Sequence, residues 1–396
     1  MTRSILILPA VLLLAIVFQD AFEVMLLPRR VQRRVRLMRL FFVLTWAAWS
    51  WLALRFGPGQ RRERFLGVYG ALSMMLLFTC WAAGLIVAWG VLEWALQSGP
   101  YSPLLEQVYM SGVTFFTLGY GDVVPHSLAA RVIAVLEAGT GIGFIAIVIG
   151  YLPVLYQLFA RREAHVIQLD GRAGSPPTAG TMLCRHADEL IRLEELLREW
   201  EVWGAELLES HLSYPMLVYY RSQHDNQSWL GALAAIMDTC ALILVGVDGI
   251  GPLQARMTFT MARQVLVEMA RSVRVSPSRY SGGDRLDDGG YARLTAAFAE
   301  AGVGWGGADR PRETLALLRA TYEPLLDGLA GHLLLRPLPG FVADEGATDY
   351  WERGHRGTMA RRLVEELSAG GRVGGMLATP VDDRETGGAA AGDGHT

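Results

Sequence analysis

The chain contains no lysine: all 36 of its basic residues are arginine, for which a coding preference is explanation enough. Its three cysteines, Cys80, Cys184 and Cys240, are far apart and form no CxxC pair, which excludes a disulfide framework or a structural zinc site. The eight histidines show no metal-ligand spacing. No Ser/His/Asp or Cys/His arrangement can be assembled, so an enzyme is not expected, and neither is an organic cofactor. A dinucleotide fold would need a strand, then GxGxxG, then a helix. The nearest glycines, Gly246, Gly249 and Gly251, follow a helical run and precede Pro252, which reads as a helix–helix turn. A cyclic-nucleotide module, mostly strand, is equally out of keeping with the helical spacing. No internal repeat is present.

Acids are scarce in the first part of the chain. Residues 1–162 hold 14 Arg against 7 Asp and Glu, a net of +7, while the remainder is −10. The acidic remainder argues against a nucleic-acid partner. Hydrophobic residues make up 52% of the 396 positions and crowd into four early segments, 4–27, 40–56, 66–97 and 128–158. Residues 1–18 are followed by Asp20, Glu23 and an arginine cluster with no small-residue cleavage site, so a retained membrane anchor is expected rather than a secretion signal.

Between the third and fourth segments lies Thr117-Leu118-Gly119-Tyr120-Gly121-Asp122. Glycines at 119 and 121 permit backbone angles that L-residues avoid, so successive carbonyls can turn toward one axis. Such a row of oxygens can replace the water shell of a cation. Upstream, Ser102-Pro103 predicts the start of a short helix through Phe116, too short to cross a bilayer. Its C-terminal end would aim partial negative charge inward.

In these residues the chain resembles the potassium channel family, over roughly residues 66–160. The resemblance implies an all-α membrane pore module of outer helix, re-entrant pore helix, filter and inner helix, assembled as a homotetramer in the bilayer of the inner membrane. It implies K⁺ as the transported ion, coordinated at Thr117, Leu118, Gly119 and Tyr120, with Gly121 and Asp122 completing the filter. Tyr109 precedes Asp122 by thirteen residues, a separation at which the family joins a pore-helix aromatic to the filter aspartate. Thr114 and Glu137 are candidate filter supports. Glu137 is an acid inside the inner helix, expected either to bond Ser111 or Thr114 as a neutral group or to titrate with gating. Gly141 stands where the family's inner helix has its hinge; with Gly139, Gly143 and Pro153 it forms the candidate gating hinge. The family's pore-helix glutamate is replaced here by Val113. The competing class is a membrane-anchored sensor or scaffold with a non-conducting pore-like module.

With the filter outside, Arg61, Arg62, Arg64, Arg161 and Arg162 are cytoplasmic, in accord with the positive-inside rule. The cluster Arg29, Arg30, Arg33, Arg34, Arg36 and Arg39 obeys it only if segment 40–56 lies at the interface, giving three crossings rather than four. Without companion acidic helices, this cluster reads as a lipid-facing amphipathic helix rather than a voltage sensor. The expected organisation is 1–64 anchor and arginine-rich segment, 65–162 pore domain, 163–180 linker, 181–367 helical cytoplasmic domain and 368–396 disordered tail. Helical spacing covers 185–211, 226–246, 252–274, 290–302 and 312–335. The apolar run Trp229–Val247 carries Asp238 and is expected to be a buried core helix rather than a span. The polar cluster Tyr219, Tyr220, Arg221, His224, Asp225, Asn226, Gln227 and Ser228 reads either as the cap of the next helix or as a pocket for a small-molecule regulator.

Overall fold

The computed structural model describes residues 4–25, 37–96, 103–222, 227–277, 284–306, 310–335 and 337–343. The chain divides into two units, Met1–Asp344 and Glu345–Thr396. The second unit, with its expected tail, lies outside the described residues. So do Arg29, Arg30, Arg33, Arg34, Arg36, Ser102, His224, Asp225 and Asn226.

The described residues form an all-α protein of twelve helices. The first five are α1 (Ile7–Met25), α2 (Leu37–Ala53), α3 (Gln60–Leu96), α4 (Leu104–Phe115) and α5 (Leu128–Ala173). The later helices are α6 (Ala179–Arg185), α7 (Arg192–Ser213), α8 (Trp229–Gly246), α9 (Pro252–Ser272), α10 (Asp288–Ala301), α11 (Pro311–Arg319) and α12 (Glu323–Leu333). Together these form a C-terminal helical layer. A 3-10 turn, Pro215–Tyr219, joins α7 to the segment before α8.

The short α4 is held between α3 and α5. Two glycines permit the close approach. A Cβ on Gly90 of α3 would lie 2.7 Å from Val108 Cα, and one on Gly141 of α5 would lie 2.1 Å from Phe115 O. Ser127 caps α5 by accepting from Ala130 N at 3.1 Å, and donates to Leu96 O at 3.0 Å. One hydroxyl thus ties the end of α3 to the start of α5. Pro103 is the N-cap of α4, in extended geometry, rather than its first helical residue.

α1 packs along α3, where buried Asp20 accepts from Trp81 Nε1 at 3.0 Å and from Met38 N of α2 at 3.3 Å. α2 lies on the early part of α3: Trp49 stacks on Phe65 at 4.4 Å, and the Thr45 and Tyr69 hydroxyls are 2.9 Å apart. Tyr69 is 27 residues before Leu96, a helical distance of roughly 40 Å. α2 therefore sits against the C-terminal layer, away from the end of α3 that meets Ser127.

Among the described residues, four helical stretches are long and apolar enough to cross a membrane: Ser4–Met25, Gln60–Leu96, Leu128–Ala173 and Trp229–Gly246. The last is different in kind. Its window is 89% buried inside this chain, and α6, α9, α11 and α12 surround it. A helix apolar all round is a core helix when neighbours cover it. Asp238 in its middle is satisfied by Arg285, whose Nη1 and Nη2 donate to its two oxygens at 2.8 and 2.9 Å. Tyr322 donates a third bond at 2.7 Å, and Glu323 receives the other edge of Arg285.

Three expectations need correction in detail. The helix expected over 185–211 begins only at Arg192, because α6 ends at Arg185 and a 3-10 turn, Ala187–Glu189, intervenes. The helix expected over 312–335 is two helices, α11 and α12. Pro324 lacks an N–H and its ring would strike the carbonyl one turn back, so the helix restarts there. Eleven residues of the expected linker, 163–173, instead continue α5 without a break, and Val166, Leu169 and Ala173 are fully buried in the core of the C-terminal layer. Apolar spacing on one face carries the helix on past the membrane-facing stretch.

Candidate functional site

α4 ends at Phe115 with Phe116 as its C-cap, and the chain then turns back along the helix it has just left. Thr117 N donates to Thr114 O at 3.0 Å and Leu118 N to Val113 O at 2.8 Å. Beyond them, Thr117, Gly119 and Gly121 have φ of 59°, 63° and 74°. Positive φ at every second residue reverses the peptide plane each time, which permits successive carbonyls, rather than alternate ones, to share a side. Nothing lies within 4 Å of a Cβ built on Gly119 or Gly121, so backbone conformation, not space, demands glycine there. Thr117, a β-branched residue, is held in the same left-handed region at a cost of roughly 1–2 kcal/mol. Strain of this sort collects at working sites.

The Tyr109 hydroxyl donates to Asp122 Oδ2 at 3.0 Å, joining α4 to the far end of the hexapeptide. Leu118 and Tyr120 are 54% and 68% exposed in the single chain, so the segment has an uncovered apolar side. Thr114 contributes its carbonyl, not its hydroxyl, to the turn.

Behind the hexapeptide lies a buried polar group of three helices. Ser111 of α4 bonds both Ile86 O, at 2.8 Å, and Glu137 Oε1 of α5. A serine hydroxyl has one hydrogen. The two acceptors compete for it unless the Glu137 carboxyl carries a proton and donates to Ser111 Oγ. Glu93 of α3, also fully buried, faces Glu137. The two carboxyls are near enough to interact, yet neither Glu93 oxygen reaches good hydrogen-bond geometry. Glu93 was not among the expected site residues. The signal was present, since an acid in the apolar run 66–97 merits the attention that Glu137 received.

Of the candidate hinge residues, Gly141 has a packing role, its α-carbon pressed against the end of α4. Gly139 and Gly143 have open space around them in the single chain. α5 runs as one helix through all three and through Pro153.

At the opposite end, the 3-10 turn Pro215–Tyr219 and Tyr220 pack among α2, α3 and α5. Tyr219 stacks on Phe42 at 5.7 Å, and the ring of Tyr220 covers Gly70, where a Cβ would come within 2.7 Å of it. Arg162 of α5 donates to Leu217 O at 3.0 Å and Tyr220 O at 2.7 Å. His211 Nδ1 lies 2.9 Å from Leu207 O, so it carries the proton there, leaving Nε2 to face Arg162 Nη1 at 3.4 Å. Burial, reinforced by the Arg162 charge, pushes the His211 imidazole down to about 3. Arg221 pairs with Glu63 of α3 and donates to Leu333 O and Leu334 O at 2.7 and 3.0 Å. Trp46 Nε1 donates to His332 O at 3.0 Å. Of the polar cluster expected before α8, Ser228 caps that helix by accepting from Gly231 N at 2.9 Å, while Tyr219, Tyr220 and Arg221 join this interface.

A short helix and a hexapeptide with positive φ at every second residue, held between two long apolar helices, are the arrangement of a membrane protein of the channel class. Residues 67–157 match the ion channel family, so this chain contains an ion channel domain. Across 213 residues the chain is 22% identical to the uncharacterized membrane protein YdjJ of Bacillus subtilis (strain 168), covering 51% of this chain and 60% of that protein. Over 104 residues it is 32% identical to a cyclic nucleotide-gated potassium channel of Rhizobium etli, covering 26% of this chain and 28% of that protein. The chain thus spans less than two thirds of either relative's length. No solved structure matches.

Proposed function

We propose that this protein is a potassium-selective channel, passing K⁺ passively through a homotetrameric pore in the inner membrane, with the C-terminal helical layer in the cytoplasm. The observation that carries the reading is the positive φ at Thr117, Gly119 and Gly121, a backbone setting in which successive oxygens can turn to one side of the hexapeptide. The exposed flanks of Leu118 and Tyr120 suit a surface that other copies complete about an axis. Similarity to a relative that is itself a potassium channel adds support over the aligned 104 residues. Selectivity would come from carbonyls at Thr117 to Tyr120 replacing the ion's hydration shell. The C-terminal layer grips α3 and α5 through Arg221 and Arg162, so a change in its packing has a direct route to the inner helix. A stimulus acts on the pore only as far as it binds closed and open states differently.

The test is purified full-length protein in liposomes, with K⁺ and Na⁺ flux measured side by side. K⁺ flux should exceed Na⁺ flux, and Gly119→Ala should abolish it, because a Cβ at φ 63° opposes the required backbone. Equal K⁺ and Na⁺ flux would remove the selectivity claim. Undiminished selective flux in the Gly119→Ala protein would remove the hexapeptide as its source.

A further inference from the structure

Glu93, Glu137 and Ser111 are each 0% exposed in the single chain, so nothing from outside the chain, a second copy included, pairs with their polar atoms. Ser111 Oγ of α4 lies 2.8 Å from Ile86 O of α3 and bonds Glu137 Oε1 of α5. The Glu137 carboxyl in turn meets that of Glu93 on α3. A polar path therefore leaves α3 at Glu93, passes through α5 and α4, and returns to α3 at Ile86.

Hydrogens can be counted along this path. Its links are Glu93 to Glu137, Glu137 to Ser111, and Ser111 to Ile86 O, and each needs one hydrogen. The serine hydroxyl supplies a single hydrogen, and the Ile86 carbonyl supplies none. Two carboxylates offer each other acceptors only, and Glu137 Oε2 and both Glu93 oxygens accordingly stand without partners. A proton on each carboxyl completes every link.

No cation is placed to take that role. From Phe65 to Leu96, Glu93 is the only charged residue of α3, and Glu106 is the only one in α4, where it is exposed. Tyr109 of α4 is committed to Asp122. Besides Glu137, α5 from Leu128 to Ala160 has one charged residue, Arg131, exposed and donating to Pro125 O at 3.3 Å. On α1, packed along α3, buried Asp20 is taken up by Trp81 and Met38. Trp81 lies twelve residues before Glu93, roughly 18 Å along the helix. Two ionised carboxyls in contact here would repel each other and lose their hydration with nothing in return.

We propose that Glu93 and Glu137 both carry protons at neutral pH and act as positioning residues, forming with Ser111 a neutral relay that fixes α4 against α3 and α5. Ser111 stands two residues before Val113, whose carbonyl accepts from Leu118 N, so the relay sets where the hexapeptide begins. Loss of either proton breaks one link, and the filter end of α4 loosens as pH rises.

Full-length protein in liposomes would be compared by infrared difference spectroscopy at neutral pH, wild type against Glu93→Gln and against Glu137→Gln. A neutral carboxyl has a C=O stretch that a carboxylate lacks, and each variant should lose the share of that band due to one carboxyl. Ser111→Ala keeps both carboxyls but takes away the acceptor of the Glu137 proton, so it should shift the band to higher wavenumber. Decay of K⁺ current would then be followed as pH is raised above neutrality. It should quicken in wild-type protein, and the double variant Glu93→Gln, Glu137→Gln should lose this pH dependence. A carboxyl band unchanged in a folded Gln variant, or unshifted in Ser111→Ala, overturns the proposal. So does a wild-type current indifferent to pH, or a pH dependence that the double variant keeps. Only the current measurement rests on the channel reading, and the infrared result stands or falls without conduction.

Discussion

α5 and α8 are two helices of similar composition with opposite surroundings. Their most apolar windows have mean hydropathies of 2.3 and 1.9, and both are long enough to cross a bilayer. Yet the α5 window is 11% buried within the chain and the α8 window 89%. Apolar surface must leave water, but the driving force does not say what should cover it. The side chain that separates the cases is Asp238. An acid in mid-helix calls for a partner, and α8 has one in Arg285 because helices and loops enclose it. Glu137 in α5 makes the same demand and is answered by Ser111, across the α4 contact. The C-terminal layer thus satisfies its buried charge with an ion pair, whereas in the channel domain Glu137 meets a serine hydroxyl through one oxygen and neither Glu93 oxygen has a hydrogen-bond partner.

That contrast can be broken most sharply at Arg285. Replacing it with Met should leave Asp238 in the core with only the Tyr322 hydroxyl, while Glu323 keeps Arg319, and cost about 3–5 kcal/mol, the penalty for removing one member of a buried pair. Chemical unfolding of the detergent-solubilised protein, followed by Trp fluorescence, would check this. A loss under about 1 kcal/mol, the range of surface ion pairs, would mean that the Asp238–Arg285 pair is solvated. The channel domain should respond less to the loss of its exposed link. Tyr109→Phe removes the hydrogen bond to the Asp122 carboxylate. It should speed the decay of K⁺ current during sustained opening while leaving protein yield unchanged. Currents identical to wild type would mean that the bond to Asp122 does not steady the hexapeptide.

The smallest effect is expected at His211, and it belongs to the junction between the two regions. Its folded value lies near 3, below the 6.5 of a free imidazole, so the unfolded chain takes up a proton first as pH falls. Its contribution is complete above pH 6.5 and is lost as pH drops from there toward 3. Within that window the loss is about 1 kcal/mol per pH unit. Tm measured between pH 7.5 and 5 should fall in wild-type protein and fall less in His211→Gln. Equal slopes would show that other groups set the acid sensitivity.

Much of this architecture was legible before any coordinates. The four apolar runs became helices, and the glycines of VGVDGIGP became the connection between α8 and α9. The Tyr109–Asp122 bond was expected from the resemblance to the potassium channel family, and α4 with the short segment that turns back along it brings the two residues together. Pro324 gave fair notice of a break, but the apolar spacing on either side of it read as one helix. The junction was not legible. Nothing in Pro215–Tyr219 says that it will lodge among α2, α3 and α5, and Glu93 and Glu137 are 44 residues apart.

The sequence by itself determined what is local in origin. Gly119 and Gly121 admit positive φ because they lack a Cβ, Ser127 and Ser228 cap because a hydroxyl fits a free N–H, and apolar periodicity makes helices. Only the tertiary structure decided which surface covers each apolar face and which carboxyl meets which arginine or hydroxyl. Backbone conformation answers to a residue and its neighbours in the chain. Burial is non-directional, and its partners are chosen only when the whole chain packs.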